Sequence, residues 1–156
     1  MNNTCNKSVL IIDDDARMLR ALEKALAGEG YKVTCATLVA EAIEILTQRK
    51  TPVDLVITDL QMPFMTGVLT GMTMVYAIHQ IFPALPVIVL TAFGSPDVKA
   101  ECLRQGVAAF LEKPLDTPHL LNTIEGVCPG RRGGMSALAW GKGEILDAGQ
   151  GRVPFS

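Results

Sequence analysis

Short apolar runs alternate with amphipathic segments along most of this chain. Five runs have the length and composition of strands, and four of them are almost continuously apolar, as in parallel strands covered on both faces. The runs lie at residues 8–12, 32–36, 53–58, 86–90 and 108–111. Between them, apolar residues recur at helical spacing, and Leu19, Leu22 and Leu26 share one face of the first such segment. The pattern predicts repeated βα units.

Helix-stopping and helix-starting residues bound the segments between the strands. The first predicted helix ends at the glycines of 28–30, and the third ends before Pro83. A shorter fourth helix at 97–105 is closed by Gly106, and a fifth at 117–127 has Asp116 as its cap. Five βα units with right-handed crossovers predict an α/β fold with a doubly wound parallel sheet.

Polar residues stand where four of the apolar runs end. An acidic triplet follows the first run, and single polar residues follow the third, fourth and fifth. These residues are Asp13, Asp14, Asp15, Asp59, Thr91 and Lys113. In doubly wound sheets, ligands bind beyond the carboxyl ends of the strands. The sequence therefore predicts one site at that edge.

The residue types at this edge suit phosphoryl transfer to a carboxylate. Converging carboxylates repel one another, and a hard divalent cation such as Mg2+ relieves the repulsion. Asp59 is the candidate nucleophile, since a carboxylate that attacks phosphorus forms an acyl phosphate. Lys113 would supply a positive charge to the phosphoryl oxygens, and the Thr91 hydroxyl would supply a hydrogen bond.

Four segments carry a resemblance to a known family. They are 9–15 (VLIIDDD), 54–63 (DLVITDLQMP), 86–92 (PVIVLTA) and 106–115 (GVAAFLEKPL). Together they make residues 8–128 resemble the receiver domain of bacterial two-component response regulators, of the stand-alone, chemotaxis-regulator-like kind. The resemblance implies a flavodoxin-like (βα)5 fold whose five parallel strands have the order 2-1-3-4-5.

The resemblance also implies roles for the strand-end residues. Asp59 would be the phosphoacceptor and would bind Mg2+ together with Asp13, Asp14 and the backbone carbonyl of Gln61. Counting from the end of the apolar run favours Asp13 and Asp14 as the acidic pair. Asp15 would then face solvent or cap the first helix.

A two-state switch is the second implication of the resemblance. Thr91 would move toward the phosphoryl group, and Phe110 would fill the space that Thr91 leaves. The alternative for Phe110 is an ordinary core side chain. Lys113 would bind the phosphoryl group, and the bond between Lys113 and Pro114 is expected to be cis.

The family implies partners and a location. The phosphoryl group would come from a histidine kinase or a histidine phosphotransfer protein, and the switched surface at 97–127 would bind a downstream protein. Phosphorylation-dependent homodimerisation stays open. Beyond Mg2+-dependent self-phosphorylation and self-dephosphorylation, no enzymatic activity is expected. The net charge of -2 offers no basic field for nucleic acid. Four cysteines without CxxC spacing favour reduced thiols and the cytoplasm, with no membrane segment.

Three other interpretations fit parts of this pattern. A phosphatase of the haloacid dehalogenase type would use Asp13 as its nucleophile and Asp15 as its acid, but Arg17 stands where that pattern has Thr or Val. A binding module with the receiver fold would not be phosphorylated. The chain could also be a receiver cut from a longer regulator.

Two segments depart from the family pattern. The loop at 64–71 is about four residues longer than usual and borders the predicted site, where it would alter partner access or the life of the phosphoryl group. Residues 129–156 are rich in glycine and are expected to form a flexible tail. A segment that docks a partner through Trp140 is the alternative, and within the tail only 137–140 and 144–146 favour local structure.

Overall fold

The architecture is a single twisted sheet with helices on both faces. The computed structural model describes residues 7–48, 50, 52–60, 71–92, 94–128, 144–147 and 151–154. The strands are β1 (Ser8–Ile12), β2 (Lys32–Ala36), β3 (Leu55–Thr58), β4 (Val87–Thr91), β5 (Ala109–Glu112), β6 (Glu144–Asp147) and β7 (Gly151–Pro154). The helices are α1 (Ala16–Gly28), α2 (Val39–Gln48), α3 (Gly71–Ile81), α4 (Pro96–Arg104) and α5 (Thr117–Val127).

The first five strands are parallel and have the order β2-β1-β3-β4-β5, as predicted. Their register fixes which strand ends are neighbours. Ile12 at the end of β1 pairs with Ala36 of β2 on one side and with Thr58 of β3 on the other. The residues that follow Ile12 and Thr58 therefore emerge side by side at the carboxyl edge of the sheet.

The apolar side chains of the strands alternate between two cores, one on each face. Val9 and Ile11 of β1 pack with α1 and α5, where Leu26 and Ile124 are fully buried. Leu10 and Ile12 belong to the other core, which α2, α3 and α4 cover. Burial of each such side chain contributes about 1.5–3 kcal/mol. Two apolar faces on the same strands explain the nearly continuous apolar runs in the sequence.

Some element ends differ from the predicted ones. β3 begins at Leu55 rather than at residue 53. Asp54, directly before it, is joined to Ser8 of β1 by two hydrogen bonds: its N–H donates to the Ser8 carbonyl oxygen at 2.8 Å, and its carboxylate accepts from the Ser8 N–H at 2.8 Å. Asp116 stands at the N-cap of α5, but its side chain makes no capping hydrogen bond. Asp15 does cap α1, since its Oδ1 accepts hydrogen bonds from the N–H groups of Arg17 and Met18.

Two short strands extend the sheet beyond the five predicted ones. β6 pairs in parallel with β5, and β7 pairs antiparallel with β6, so the full order is β2-β1-β3-β4-β5-β6-β7. Both strands come from the glycine-rich tail, and β6 includes the 144–146 segment that had some local preference for structure. The rest of the tail, including Trp140, and the 64–70 part of the inserted loop lie outside the described residues.

Each helix in the described ranges is too short or too polar to cross a lipid bilayer.

Candidate functional site

A lysine joins two buried carboxylates at the carboxyl edge of the sheet. The Lys113 ammonium donates a hydrogen bond to Oδ2 of Asp13 at 2.9 Å and another to Oδ2 of Asp59 at 2.9 Å. The side chains of Asp13, Asp59 and Lys113 are 4%, 9% and 15% exposed, so water screens these charges only weakly. Three of the predicted site residues therefore form one compact charged group.

Backbone hydrogen bonds between strands hold this group in place. The Asp13 N–H donates to the Ala36 carbonyl oxygen at the end of β2, and the Asp59 N–H donates to the Ile12 carbonyl oxygen of β1, both at 3.1 Å. The Lys113 N–H donates to the Thr91 carbonyl oxygen at the end of β4 at 2.9 Å. These bonds continue the sheet ladder through Asp13, Asp59 and Lys113, so the sheet fixes the backbone positions of these site residues.

The acidic triplet divides its roles among its three members. Asp13 is buried, and its Oδ1 accepts a hydrogen bond from the Asp15 N–H at 2.9 Å. Asp14 is half-buried at the same edge, whereas Asp15 is exposed and caps α1. The capping role was one of the two alternatives predicted for Asp15. The geometry therefore turns Asp13 toward Lys113 and uses Asp15 to start the helix.

Burial and ion pairing shift the protonation equilibria of this group. Burial raises the pKa of the Asp13 carboxyl above its ordinary value, and the nearby Lys113 opposes that shift only in part. Burial alone would lower the pKa of Lys113, but its hydrogen bonds to Asp13 and Asp59 outweigh burial and raise it. The hydrogen bonds thus favour the charged form of Lys113, whereas burial disfavours the charged form of Asp13 more than Lys113 favours it.

The donor atoms at this edge suit a hard divalent cation. Carboxylate oxygens are the ligands that Mg2+ prefers, and Asp13, Asp14 and Asp59 supply them at this edge. Among the side chains that the structure describes, no three of His, Cys, Asp or Glu form a group that could hold a metal ion. In this arrangement the Lys113 ammonium occupies the position between Asp13 and Asp59. The predicted ligand Gln61 lies outside the described residues.

The two predicted switch residues are buried on the neighbouring strands β4 and β5. Thr91 ends β4 and is fully buried, and Phe110 of β5 is 1% exposed. Gly94 follows in the β4–α4 loop, where a Cβ atom would lie only 2.8 Å from two ring carbons of Phe110 and 2.8 Å from Oε2 of Glu112. The Phe110 ring therefore packs directly against the backbone of Gly94, where there is no room for a larger residue. Sequence reasoning did not single out Gly94, although a glycine three residues after Thr91 was the available signal.

A cis peptide bond follows the site lysine. The bond between Lys113 and Pro114 is cis, as the family resemblance implied. It lies directly after β5, where the chain turns toward α5.

Comparisons with known proteins agree with this geometry. The sequence profile described as "Response regulator receiver domain" matches residues 9–125. A crystal structure of a response regulator receiver domain protein from Clostridium thermocellum superposes with a TM-score of 0.70 at 30% identity, covering 78% of this chain and 93% of that one. The matched segment contains every predicted site residue.

Curated relatives cover the same segment. The transcriptional regulatory protein GlrR of Escherichia coli K12 is 42% identical over 118 residues, which are 75% of this chain and 25% of that protein. The DNA-binding transcriptional regulator NtrC of the same strain is 37% identical over 117 residues, or 75% of this chain and 24% of that protein. The chain thus spans about a quarter of the length of these relatives.

Proposed function

Because the chain belongs to the response regulator receiver domain family, we propose that Asp59 is the residue on which it accepts a phosphoryl group. Receiver domains take this group from histidine kinases. The donor proposed here is a phosphohistidine of a histidine kinase or of a histidine phosphotransfer protein. The single observation that carries the assignment is the pair of hydrogen bonds that hold Lys113 between Asp13 and Asp59.

The chemistry follows from what surrounds Asp59. A carboxylate oxygen of Asp59 attacks phosphorus, a new O–P bond forms, and the P–N bond to the donor imidazole breaks. The leaving imidazole takes the electron pair and then a proton from water. Transfer of this kind depends on in-line positioning and on neutralised charge rather than on a general base. The ammonium of Lys113 already lies 2.9 Å from Asp59, where it can pair with a phosphoryl oxygen.

Mg2+, which receiver domains generally use, would balance the remaining negative charge when it is bound. In this chain we assign its ligands to the carboxylates of Asp13, Asp14 and Asp59 and to the Gln61 carbonyl. Asp13 suits this role because its carboxylate lies at the same edge as that of Asp59, and Lys113 hydrogen-bonds to both. A second cationic group at this edge would also free the Lys113 ammonium for the phosphoryl oxygens.

The output is a change of surface. The acyl phosphate carries about -1.5 to -2 charges in place of the single negative charge of the Asp59 carboxylate. We propose that the Thr91 hydroxyl moves toward the phosphoryl group and that Phe110 adjusts in the space between Thr91 and Gly94. The rearranged surface is 97–127, which contains α4, β5 and α5 and is offered to a downstream protein. Apart from self-phosphorylation and self-dephosphorylation, no reaction on another substrate is proposed.

The proposal covers phosphorylation of this chain and does not extend to the activities of its longer relatives. The relatives that match are transcriptional regulators about four times the length of the matched segment. A stand-alone, chemotaxis-like role and the absence of nucleic-acid binding therefore stay predictions made from the sequence. We also propose a cytoplasmic location, which the names of these relatives support.

The test is intact-mass spectrometry after incubation with acetyl phosphate and Mg2+. The wild type should gain one phosphoryl group, and Asp59→Asn should gain none. The matched control is Asp54→Asn, since Asp54 directly precedes β3, at the end opposite Asp59, and accepts a hydrogen bond from the Ser8 N–H. This control should load like the wild type.

Two results would overturn the assignment. A phosphoryl adduct that forms in Asp59→Asn with unchanged yield would show that Asp59 is not the phosphoacceptor. If that adduct were then lost in Asp13→Asn, Asp13 would be favoured as the nucleophile, as in the phosphatase interpretation. No adduct in the wild type, with acetyl phosphate or with a phosphorylated histidine kinase, would favour a binding module that is not phosphorylated.

A further inference from the structure

The outer edge of β5 is a strand-pairing surface, and the chain fills it with its own tail. An unpaired edge strand presents a row of N–H and C=O groups to any other strand. Here β6 pairs with β5 in parallel, with Ala109 opposite Leu146 and Phe110 opposite Asp147. β7 then pairs antiparallel with β6 along its whole length. The two strands 144–147 and 151–154 are called the C-terminal hairpin below.

The C-terminal hairpin occupies part of the proposed output surface. β5 lies at the centre of that surface, and β6 lies against both β5 and α5. A partner that recognises the β5 edge by pairing a strand with it would have to displace the C-terminal hairpin first. Such a partner strand and the C-terminal hairpin therefore compete for the same backbone groups of β5.

β5 also connects the C-terminal hairpin to the phosphoryl site. Phe110, the residue opposite Asp147, packs against Gly94 in the loop that follows Thr91, and Lys113 follows β5 directly. Lys113 is hydrogen-bonded to Asp59. A shift of β5 that accompanies phosphorylation must therefore also be accommodated by β6.

We propose that the C-terminal hairpin is an intramolecular partner of the β5 edge and that it favours the unphosphorylated form of the switch. This inference rests on the proposed phosphorylation of Asp59. Since coupling between two sites is reciprocal, docking of the hairpin weakens binding of a phosphoryl group, and binding of a phosphoryl group weakens docking of the hairpin. Release then exposes the β5 edge to a strand of the downstream protein.

The pairing is tested by amide hydrogen exchange on the full chain. The Ala108 N–H donates to the Val87 carbonyl oxygen of β4 at 2.8 Å, so alternation along the strand turns the Ala109 N–H toward β6. By the same alternation, Ala109 bonds to residues 145 and 147 of β6, and the Leu146 N–H faces β7, where Leu146 pairs with Arg152. Leu146→Pro removes this donor from the β6–β7 ladder and should disrupt the C-terminal hairpin, which abolishes protection at Ala109 but not at Ala108. Ser136→Pro, a change elsewhere in the tail, should leave both amides protected.

The coupling is tested by titration with beryllofluoride, a phosphoryl analogue, in the presence of Mg2+. Leu146→Pro should bind it about fivefold or more tightly than the wild type and than Ser136→Pro, which is the size of a typical coupling. Saturating beryllofluoride should also lower protection at Ala109 in the wild type. Asp59→Asn should bind none and should keep its protection.

The outcomes separate the two proposals. An unprotected Ala109 amide in the wild type, or one still protected in Leu146→Pro, would overturn the pairing. Equal affinities in the wild type and Leu146→Pro would overturn the coupling while the phosphoryl switch stands. No binding by the wild type would overturn both the phosphoryl switch and the coupling. Retained protection at Ala108 shows that Leu146→Pro has folded.

Discussion

The two outer strands of the five-stranded parallel sheet, β2 and β5, differ in how far their residues are buried. β2 begins with the exposed Lys32, continues through half-buried residues, and is fully buried only at Ala36. In β5, Ala109, Phe110 and Leu111 are all buried, and only Glu112 is exposed. β2 has the polar, partly solvated composition of an edge strand. β5 has the composition of an interior strand.

The difference shows two ways to protect a sheet edge. A charged side chain and partial exposure discourage pairing with another strand, which is the solution at β2. An apolar strand with two buried faces requires cover, and at β5 the C-terminal hairpin supplies it. Both outer strands reach the site, β2 through the Ala36 carbonyl that holds Asp13, and β5 through Lys113.

The largest effect expected on stability comes from truncating a side chain in β5. Leu111→Ala should lower the free energy of unfolding by about 2–5 kcal/mol, because Leu111 is fully buried and the cavity cannot fill. Val33→Ala in β2 should cost about 1 kcal/mol, since Val33 is only half-buried. Urea denaturation of both variants measures the difference. Equal losses would show that the two edges are equally packed.

Charge at the two edges gives the next prediction. Lys113→Ala should slow phosphoryl uptake from acetyl phosphate about 100-fold, because it removes a preorganised positive charge from the reacting group. Lys32→Ala removes the exposed lysine at the start of β2 and should leave the rate unchanged. Time-resolved intact-mass measurements give both rates. A Lys113→Ala rate close to that of the wild type would show that the ammonium does not assist transfer.

Two glycines sharpen the comparison further. Gly94→Ala should lower the free energy of unfolding by about 1–3 kcal/mol, because the new methyl group overlaps the Phe110 ring of β5. Gly28→Ala, in the helix before β2, meets no atom within 4 Å and should stabilise the protein by about 0.5–1 kcal/mol. Thermal unfolding under one set of conditions ranks the two variants. A stable Gly94→Ala would mean that Phe110 can move aside without loss.

The smallest expected effect concerns pH and the β1–β2 side of the site. The folded pKa of Asp13 is raised, chiefly by burial, so its negative charge costs stability above that pKa, and protonation removes the cost. Without Mg2+, Asp13→Asn should therefore be slightly more stable than the wild type at pH 7. The difference should shrink as the pH falls through the raised pKa. Urea denaturation in EDTA at several pH values checks the sign, and a gap that widens on acidification would contradict it.

Much of the fold was predictable because its signals are local. The observed bounds coincide with the predicted ranges for β1, β2 and α5. These elements begin and end where the local pattern of apolar and polar residues changes. The predicted start of β3 was wrong by two residues, because the start of a strand depends on its pairing with distant parts of the chain, here β1 and β4. Sequence periodicity carries no information about such contacts.

The C-terminal hairpin and Gly94 were missed for the same physical reason. β6 has a weak local preference for structure, and it pairs because an apolar β5 edge is available beside it. Gly94 matters because the Phe110 ring approaches its backbone, a fact that only the packed structure contains. The strand-end residues Asp13, Asp59 and Lys113 were found in advance because parallel register brings equivalent strand ends together.

The bridge made by Lys113 has a consequence for the order in which the protein is made. Lys113 is 100 residues beyond Asp13 and 54 residues beyond Asp59 in the chain. A ribosome therefore delivers both acids well before the lysine that balances them, and a nascent chain lacks a complete phosphoryl site until β5 has emerged. Competence to receive a signal then coincides with completion of the parallel sheet, so unfinished chains would not draw phosphoryl groups from the donor.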